Sequence, residues 1–198
     1  MAALELMKYL DKLSQAHSDT KSIDLKAPKK IKFTASSKIS RYKLEQIHKL
    51  CLEAFSKFGW VTSDHIHNQC VFANTAAYKV ISEVLGIKCY LTIGYTKAYG
   101  ATINKSSLSE LKSELKSPNI DNPLQMHVWV TLSDGTIIDW TTEAFLTHRE
   151  GEIKDIKSCM LHIDPEKIKE ISYHPILVGD DYLSKVGAFR VGSNNHQQ

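Results

Sequence analysis

The sequence has few of the features that would set it apart from ordinary globular proteins. Its 198 residues include only four cysteines and five prolines. No stretch approaches the roughly 18 consecutive apolar residues of a membrane-spanning helix. The cysteines, at positions 51, 70, 89 and 159, form neither a C-x-x-C motif nor a zinc-ribbon spacing. A membrane span, a disulfide scaffold and a zinc ribbon are therefore not expected.

Two further absences bear on location and partners. The first residues lack the basic start, the apolar run and the small-residue cleavage site of a signal peptide. We therefore expect a reduced, cytoplasmic protein, with export by a route that needs no cleaved signal left open. The net charge of +3 is too small to indicate a concentrated basic face. Neither a nucleic acid nor a membrane is expected as a partner, and the oligomeric state is left open.

Length and composition fit one globular domain with an N-terminal arm. Hydrophobic residues make up 42% of the chain and charged residues 24%, both near the globular average. A chain of this length completes its core without a metal, a cofactor or a disulfide. We divide it into a helix (4–16) with a lysine-rich arm, together residues 1–38, a main domain (39–185) and a frayed tail (186–198). The arm is either a solvated connection or a surface for an acidic partner.

Apolar residues at helical spacing predict two helices at the start of the main domain. Ser40 can cap the first, and Gly59 ends it. A polar loop over residues 60–69 follows. The second helix begins at about Cys70 and stops before Gly86.

The pattern then changes to period 2, which predicts strands. The Asp134-Gly135 pair indicates a tight hairpin between two of them. A long excursion over residues 96–124, with a short capped helix inside it, separates this hairpin from the strand before it. The predicted strands are 88–95, 126–132, 136–140 and 171–178, with a short helix over 164–170 before the last.

Three residues in this layout suit nucleophilic chemistry. Cys70 opens a helix, and the positive end of the helix dipole favours its thiolate form. His127 begins a strand, and an imidazole beside the thiol can hold its proton and later give it to a leaving amine. Asp139 lies near the end of the next strand, where a carboxylate can fix the imidazole tautomer.

The hairpin places His127 and Asp139 close together. With the turn centred on residues 133–135, positions that sum to about 268 face each other. His127 then faces residue 141, and Asp139 faces residue 129. The two side chains lie within about one strand step, and a small register shift or a bulge could bring them into contact. Cys70 has to arrive from the helix packed on that sheet.

Five short motifs occur in order between residues 60 and 142. They are Gln69-Cys70-Val71-Phe72-Ala73, Leu85-Gly86-Ile87-Lys88-Cys89, Ile93-Gly94-Tyr95, His127-Val128-Trp129-Val130, and Asp134-Gly135 followed by Asp139-Trp140-Thr141. Together they resemble the transglutaminase-like cysteine enzymes of the wider papain-like architecture. That family has Gly-Gln-Cys-Trp-x-Phe-Ala, Leu-Gly-Ile-Pro, Gly-Tyr, His-x-Trp-x, and a Gly followed by Asp-Pro-Thr.

The resemblance implies an α+β fold of the papain/transglutaminase-like type, with the nucleophile helix packed against an antiparallel sheet. It implies a Cys70-His127-Asp139 triad that hydrolyses an amide of a peptide or protein through a thioester, including glutamine deamidation. Acyl transfer to an amine, as in a transglutaminase, is the alternative within the enzymes. A peptide-binding module that keeps the scaffold without turnover is the alternative outside them.

Four further residues are candidates for the substrate site. Gln69 or nearby backbone amides, with that of Cys70 the first choice, would hold the oxyanion. Asn68 belongs to the same stretch. Trp60 and Trp140 would border the cleft as aromatic walls, or else pack in the core.

The remaining singled-out residues have plainer expectations. Trp129 is expected in the core, on the sheet face opposite His127. His65, His67 and Cys70 form H-x-H-x-x-C, but a fourth zinc ligand is not evident, so no metal is expected. The excursion over 96–124 either selects substrate or is a solvated insertion.

Overall fold

The computed structural model describes residues 2–34, 38–119, 125–163 and 170–189, with side chains from residue 9 onward. The helices are α1 (Ala2–Ser22), α2 (Arg41–Ser56), α3 (Ser63–Ile66), α4 (Cys70–Lys79), α5 (Leu108–Lys116), α6 (Thr142–Arg149) and α7 (Asp181–Lys185). The strands are β1 (Cys89–Ala98), β2 (Ala101–Ile103), β3 (His127–Leu132), β4 (Ile137–Asp139), β5 (Leu161–Ile163) and β6 (Ile171–Val178). The predicted α+β class is confirmed. Within the described ranges, no helix has the length and apolarity needed to cross a membrane.

All six strands form one antiparallel sheet in the order β2-β1-β3-β4-β5, with β6 on the other edge of β1. The long strand β1 is the centre of this arrangement. Its residues 89–94 pair with β3 and its residues 96–98 pair with β2, along the same edge. The predicted excursion over 96–124 thus includes the end of β1 and all of β2. The segment between β2 and β3 leaves the sheet and returns to it at that edge, beside His127.

The two faces of the sheet carry separate cores. On one face, α2 and α4 pack through Ile47, Phe55 and Ala77 against strand residues such as Ile93 and Val130. The other face is covered by α1; that cluster contains Tyr9, Leu13, Ala16, Tyr90, Trp129 and Tyr173. Helix α4, which begins with Cys70, thus packs on an antiparallel sheet, as expected.

Local sequence signals account for most element boundaries. The Ser40 side chain accepts a hydrogen bond from the amide of Lys43, which fixes the start of α2. Helix α4 continues into one π-helical turn at Val80–Val84, and Gly86, at φ +61°, ends it. Gly135 turns the β3–β4 hairpin with φ +86°. Residues 164–169 of the predicted helix and residues 190–198 of the tail predicted to be frayed lie outside the described residues.

The N-terminal segment differs from its prediction. Helix α1 continues to Ser22, well past residue 16. Beyond it, the amide of Lys32 donates to the Tyr90 hydroxyl at 2.8 Å, and the amide of Thr34 donates to the Ser133 carbonyl at 2.8 Å. Ile31 also packs against the core that α1 forms. Residues 31–34 are therefore tied to the sheet, while the lysine side chains at 26, 29, 30 and 32 stay exposed.

Gly94 lies where β6 leaves no room for a side chain on β1. The pairing of these strands shifts between Ile93 and Gly94. A Cβ atom on Gly94 would lie 2.0 Å from the carbonyl oxygen of His174 and 2.9 Å from the Trp129 ring. A larger residue would push β6 off β1, directly beside the strand pair that ends at His127.

Candidate active site

Cys70 is the first residue of α4, as the sequence predicts. Its side chain is half-buried, and its thiol lies 3.6 Å from the carbonyl oxygen of Met126. The Gln69 side chain does not cap this helix. The first amides of an α-helix have no partner within the helix. Those of the first turn of α4, next to Cys70 in the chain, are therefore available to donate hydrogen bonds to a bound group.

The hairpin register agrees with the predicted one. Val130 pairs with Ile138 and Thr131 with Ile137, which is the sum of 268. His127 Nε2 lies 2.7 Å from Asp139 Oδ2, and both side chains are almost fully buried. Because a carboxylate only accepts hydrogen bonds, Nε2 carries the proton and Nδ1 is the ring nitrogen left for another partner.

The Cys70 sulfur is close enough to count among the groups that raise the pKa of the His127 ring. Burial disfavours a charged His127, but the negative charge and hydrogen bond of Asp139, with the Cys70 sulfur, outweigh it. Together they raise the pKa of His127 to about 10. The ring is therefore positively charged at neutral pH, with a proton on each nitrogen, and a positive charge stabilises a neighbouring thiolate.

Asp139 is held as an anion by an unusually complete set of donors. Burial opposes its charge, but the charge of His127 and hydrogen bonds from its neighbours hold its pKa well below the usual range. Oδ2 accepts from the Thr142 hydroxyl at 2.6 Å and from the Tyr173 hydroxyl at 2.9 Å, besides His127. Oδ1 accepts from the amide of Thr141 at 2.8 Å. Such a carboxylate orients the imidazole and is not itself a proton donor.

Asn74, one helical turn after Cys70, joins the nucleophile helix to the hairpin. Continuing the hairpin register places Val128 opposite Trp140 as a hydrogen-bonded pair. The Asn74 carboxamide stands between them: Nδ2 donates to the Val128 carbonyl at 2.8 Å, and Oδ1 accepts from the Trp140 amide at 3.1 Å. Nδ2 also lies 3.2 Å from Asp139 Oδ1. The side chain therefore wedges open the end of the β3–β4 ladder where His127 and Asp139 meet.

No family model, curated protein or solved structure matches the chain.

The candidates for the substrate site differ in how far the structure exposes them. Gln69 is half-buried directly before Cys70, and Asn68 is exposed beside it. Trp60 is half-buried and packs against Phe55, with a ring-centroid separation of 5.8 Å. Gln69 and Asn68 keep positions from which they can meet a substrate. Trp60 belongs to the rim of the α2 core.

The structure decides between the two alternatives for Trp140, and it corrects the expected sheet face of Trp129, which is buried as expected. Trp140 is fully buried, with its ring edge-on to Phe55 at 5.0 Å, so it is a core residue and borders no cleft. Trp129 lies on the same sheet face as His127, and their ring centroids are 5.8 Å apart. Side chains two positions apart on a strand share a face, which explains this error.

The structure does not assemble the H-x-H-x-x-C zinc site. The Nδ1 atom of His65 is hydrogen-bonded to the Thr62 hydroxyl at 2.7 Å, as part of the cap of α3. Among the described residues, His67 instead groups with Asp64 and His148, as a set that could hold a metal ion.

Sequence reasoning missed three polar residues of the site. Asn74 carried a signal, because an Asn on the buried face of a helix, one turn after a candidate nucleophile, needs a partner. Thr142 carried a weaker one, as a hydroxyl three residues after the candidate Asp. Tyr173 carried none, because only the pairing of β6 with β1 brings it to Asp139.

Proposed function

We propose that this protein is a cysteine-dependent amide hydrolase of the transglutaminase-like type, acting on an amide of a peptide or protein. One observation carries the proposal. A half-buried cysteine at a helix start is among the groups that raise the pKa of a histidine, and Nε2 of that histidine is 2.7 Å from a buried carboxylate. Cys70, His127 and Asp139 are the nucleophile, the proton carrier and the orienting group of such an enzyme.

In the proposed acylation step, the Cys70 thiolate attacks the carbonyl carbon of the amide. The developing oxyanion is stabilised by the amides at the start of α4, which are the donors nearest the sulfur along the chain. The carbon–nitrogen bond then breaks, and His127 gives its proton to the leaving amine or ammonia. The product of this step is a thioester on Cys70.

In the deacylation step, a water molecule attacks the thioester carbon and His127 accepts one of its protons. The carbon–sulfur bond breaks, a carboxylic acid leaves, and the thiolate–imidazolium pair is restored. Asp139 stays ionised throughout, because the cost of its burial is already offset by its hydrogen bonds. Its part is to hold the Nε2 proton and thereby aim Nδ1 at the sulfur.

The direct test uses a proteome-derived peptide mixture as substrate and mass spectrometry as the readout. Cleavage of a backbone amide adds one water across two fragments, and deamidation replaces a side-chain amide by an acid. Adding a primary amine distinguishes hydrolysis from acyl transfer, because only transfer incorporates that amine. We expect hydrolytic products that are the same with or without the amine.

Matched cysteine variants complete this test. Cys70→Ala should abolish product formation, whereas Cys51→Ala should leave it, since Cys51 lies fully buried in the α2 core. His127→Ala should slow the reaction by about 100-fold or more. A folded Cys70→Ala variant that forms the same products at the wild-type rate would overturn the proposal.

A further inference from the structure

A second group of chemically competent side chains lies outside the triad. Asp64, on the single turn of α3, faces His148 near the end of α6, and His67 directly follows that turn. One ligand atom from each of the three lies within 4.8 Å of the other two. The triad chemistry uses none of them.

Hydrogen bonds fix the proton positions on both histidines. His67 Nδ1 lies 2.8 Å from the carbonyl oxygen of Asp64, and His148 Nδ1 lies 3.0 Å from Asp64 Oδ1. Both oxygens only accept, so each Nδ1 carries a proton. His67 Nδ1 also lies 3.7 Å from Asp64 Oδ1, so both Nδ1 atoms adjoin the same carboxylate oxygen. A metal ion bound by these three atoms would displace the two Nδ1 protons, since a ligating imidazole nitrogen carries none.

We propose that Asp64, His67 and His148 bind a divalent transition metal of the zinc class. Two imidazole nitrogens with one carboxylate oxygen are ligands that zinc, cobalt and nickel accept, whereas calcium and magnesium prefer oxygen alone. Three protein ligands would leave a fourth position on the metal for water or another small ligand.

The metal-free arrangement needs only a small adjustment to bind. The two imidazole rings are stacked, with centroids 3.8 Å apart and planes 9° from parallel. Stacked rings place their Nδ1 atoms side by side, so one ring must turn for both to meet one ion. The side chain of His148 is 52% exposed, whereas that of His67 is 17% exposed. We therefore expect the His148 ring to turn, exchanging its hydrogen bond with Asp64 for the metal, and the His67 ring to move less.

Binding at this site would join two elements that flank the triad. His67 is three residues before Cys70, and α6 begins at Thr142, whose hydroxyl contacts both Asp139 and His127. A metal bound by Asp64, His67 and His148 would cross-link the α3 segment to α6. It would raise the thermal stability of the protein by binding only the folded state.

The test is zinc titration of untagged protein, stripped with chelator, by calorimetry and thermal denaturation. We expect one zinc per chain and a higher melting temperature with zinc. His148→Ala and Asp64→Asn should each weaken zinc binding by about 10-fold or more. His162→Ala is the matched control, because it removes another exposed histidine and should leave binding unchanged. With chelator present, the two ligand variants should melt like the wild type, since both positions are exposed.

Cobalt substitution identifies the ligand atoms. The bound cobalt should absorb in the visible range without a sulfur charge-transfer band, and Cys70→Ala should bind it with wild-type affinity. A sulfur band that disappears in Cys70→Ala would place the metal on the thiol and overturn the proposal. Unweakened zinc binding in His148→Ala, or the absence of any saturable binding to the wild type, would overturn it as well.

Discussion

Replacing Asn74 tests whether the carboxamide wedge holds the candidate triad together. In Asn74→Ala, the Trp140 amide and the Val128 carbonyl both lose their partner in a fully buried place. Each unsatisfied group costs about 1–3 kcal/mol, so the free energy of unfolding should fall by roughly 2–6 kcal/mol. At about 2–4 °C per kcal/mol for a chain of this size, the melting temperature should fall by roughly 5–20 °C.

The strands have one way to avoid this cost. With the wedge gone, the Trp140 amide can approach the Val128 carbonyl and restore the ladder. The stability is then partly recovered, but Asp139 and His127 move relative to Cys70. Alkylation of Cys70 by iodoacetamide at pH 7 should slow in that case. Asn74→Ala therefore loses either stability or thiol reactivity, and both are to be measured on the same sample.

Two further variants sharpen the result. Asn74→Asp keeps the acceptor for the Trp140 amide but loses the donor to Val128 and sets a second carboxylate against Asp139. The added carboxyl has a raised pKa in the folded state, so its destabilisation should shrink as the pH falls. Thr75→Val is the control, because the Thr75 hydroxyl is buried without a partner among the described residues. If Asn74→Ala has wild-type stability and wild-type Cys70 labelling, the Asn74 carboxamide does not hold the two strands and the candidate triad in place.

Three other outcomes follow from the same structure. Brief iodoacetamide treatment at pH 7 should label Cys70 first, and peptide mapping that finds equal labelling of all four cysteines would contradict the thiolate argument. The other three are buried, and burial raises their pKa: Cys51 to about 12, Cys89 to about 12 and Cys159 to about 11. Gly94→Ala should destabilise the protein by about 3 kcal/mol or more in urea denaturation, because its Cβ would overlap the His174 carbonyl; an unchanged midpoint would show that β6 yields easily. Because the native pKa of His127 is raised to about 10, its charge pair stabilises the protein below pH 6.5 and loses this contribution as pH rises toward 10. A pH series of unfolding free energies should therefore decline over that range in the wild type and stay flatter in His127→Gln, and two parallel curves would count against the charge pair.

Much of the candidate site was predictable because its parts are set by local signals. The Asp134-Gly135 turn fixes the hairpin register, and the register alone brings His127 within one strand step of Asp139. The glycine stop before the loop and the apolar period after it fix Cys70 near a helix start. Each of these depends on residues close together in the chain.

The errors concern which way side chains point. Successive residues of a strand alternate between faces, so Asp139 on the site face places Trp140 in the α2–α4 core, and His127 places Trp129 on its own face. Strict use of the two-residue strand period would have placed Trp129 correctly and would have decided between the two alternatives for Trp140. The packing of the arm over Tyr90 was beyond any local rule, because lysine-rich sequence carries no signal for the strand it will cover.

The contribution of Asn74 shows why the rest of the site needed the structure. The ladder between β3 and β4 ends at Val130 and Ile138, and the next hydrogen-bonded pair is separated by a side chain from a third element. A polar side chain can replace a ladder bond only if both strands and the helix are already placed, so no window of sequence contains the reason for it. The same residue sits one turn from Cys70 and contacts Asp139. Any shift of α4 that moves the thiol must therefore also strain the bonds that set the hairpin, and the positions of nucleophile, histidine and carboxylate vary together instead of one at a time.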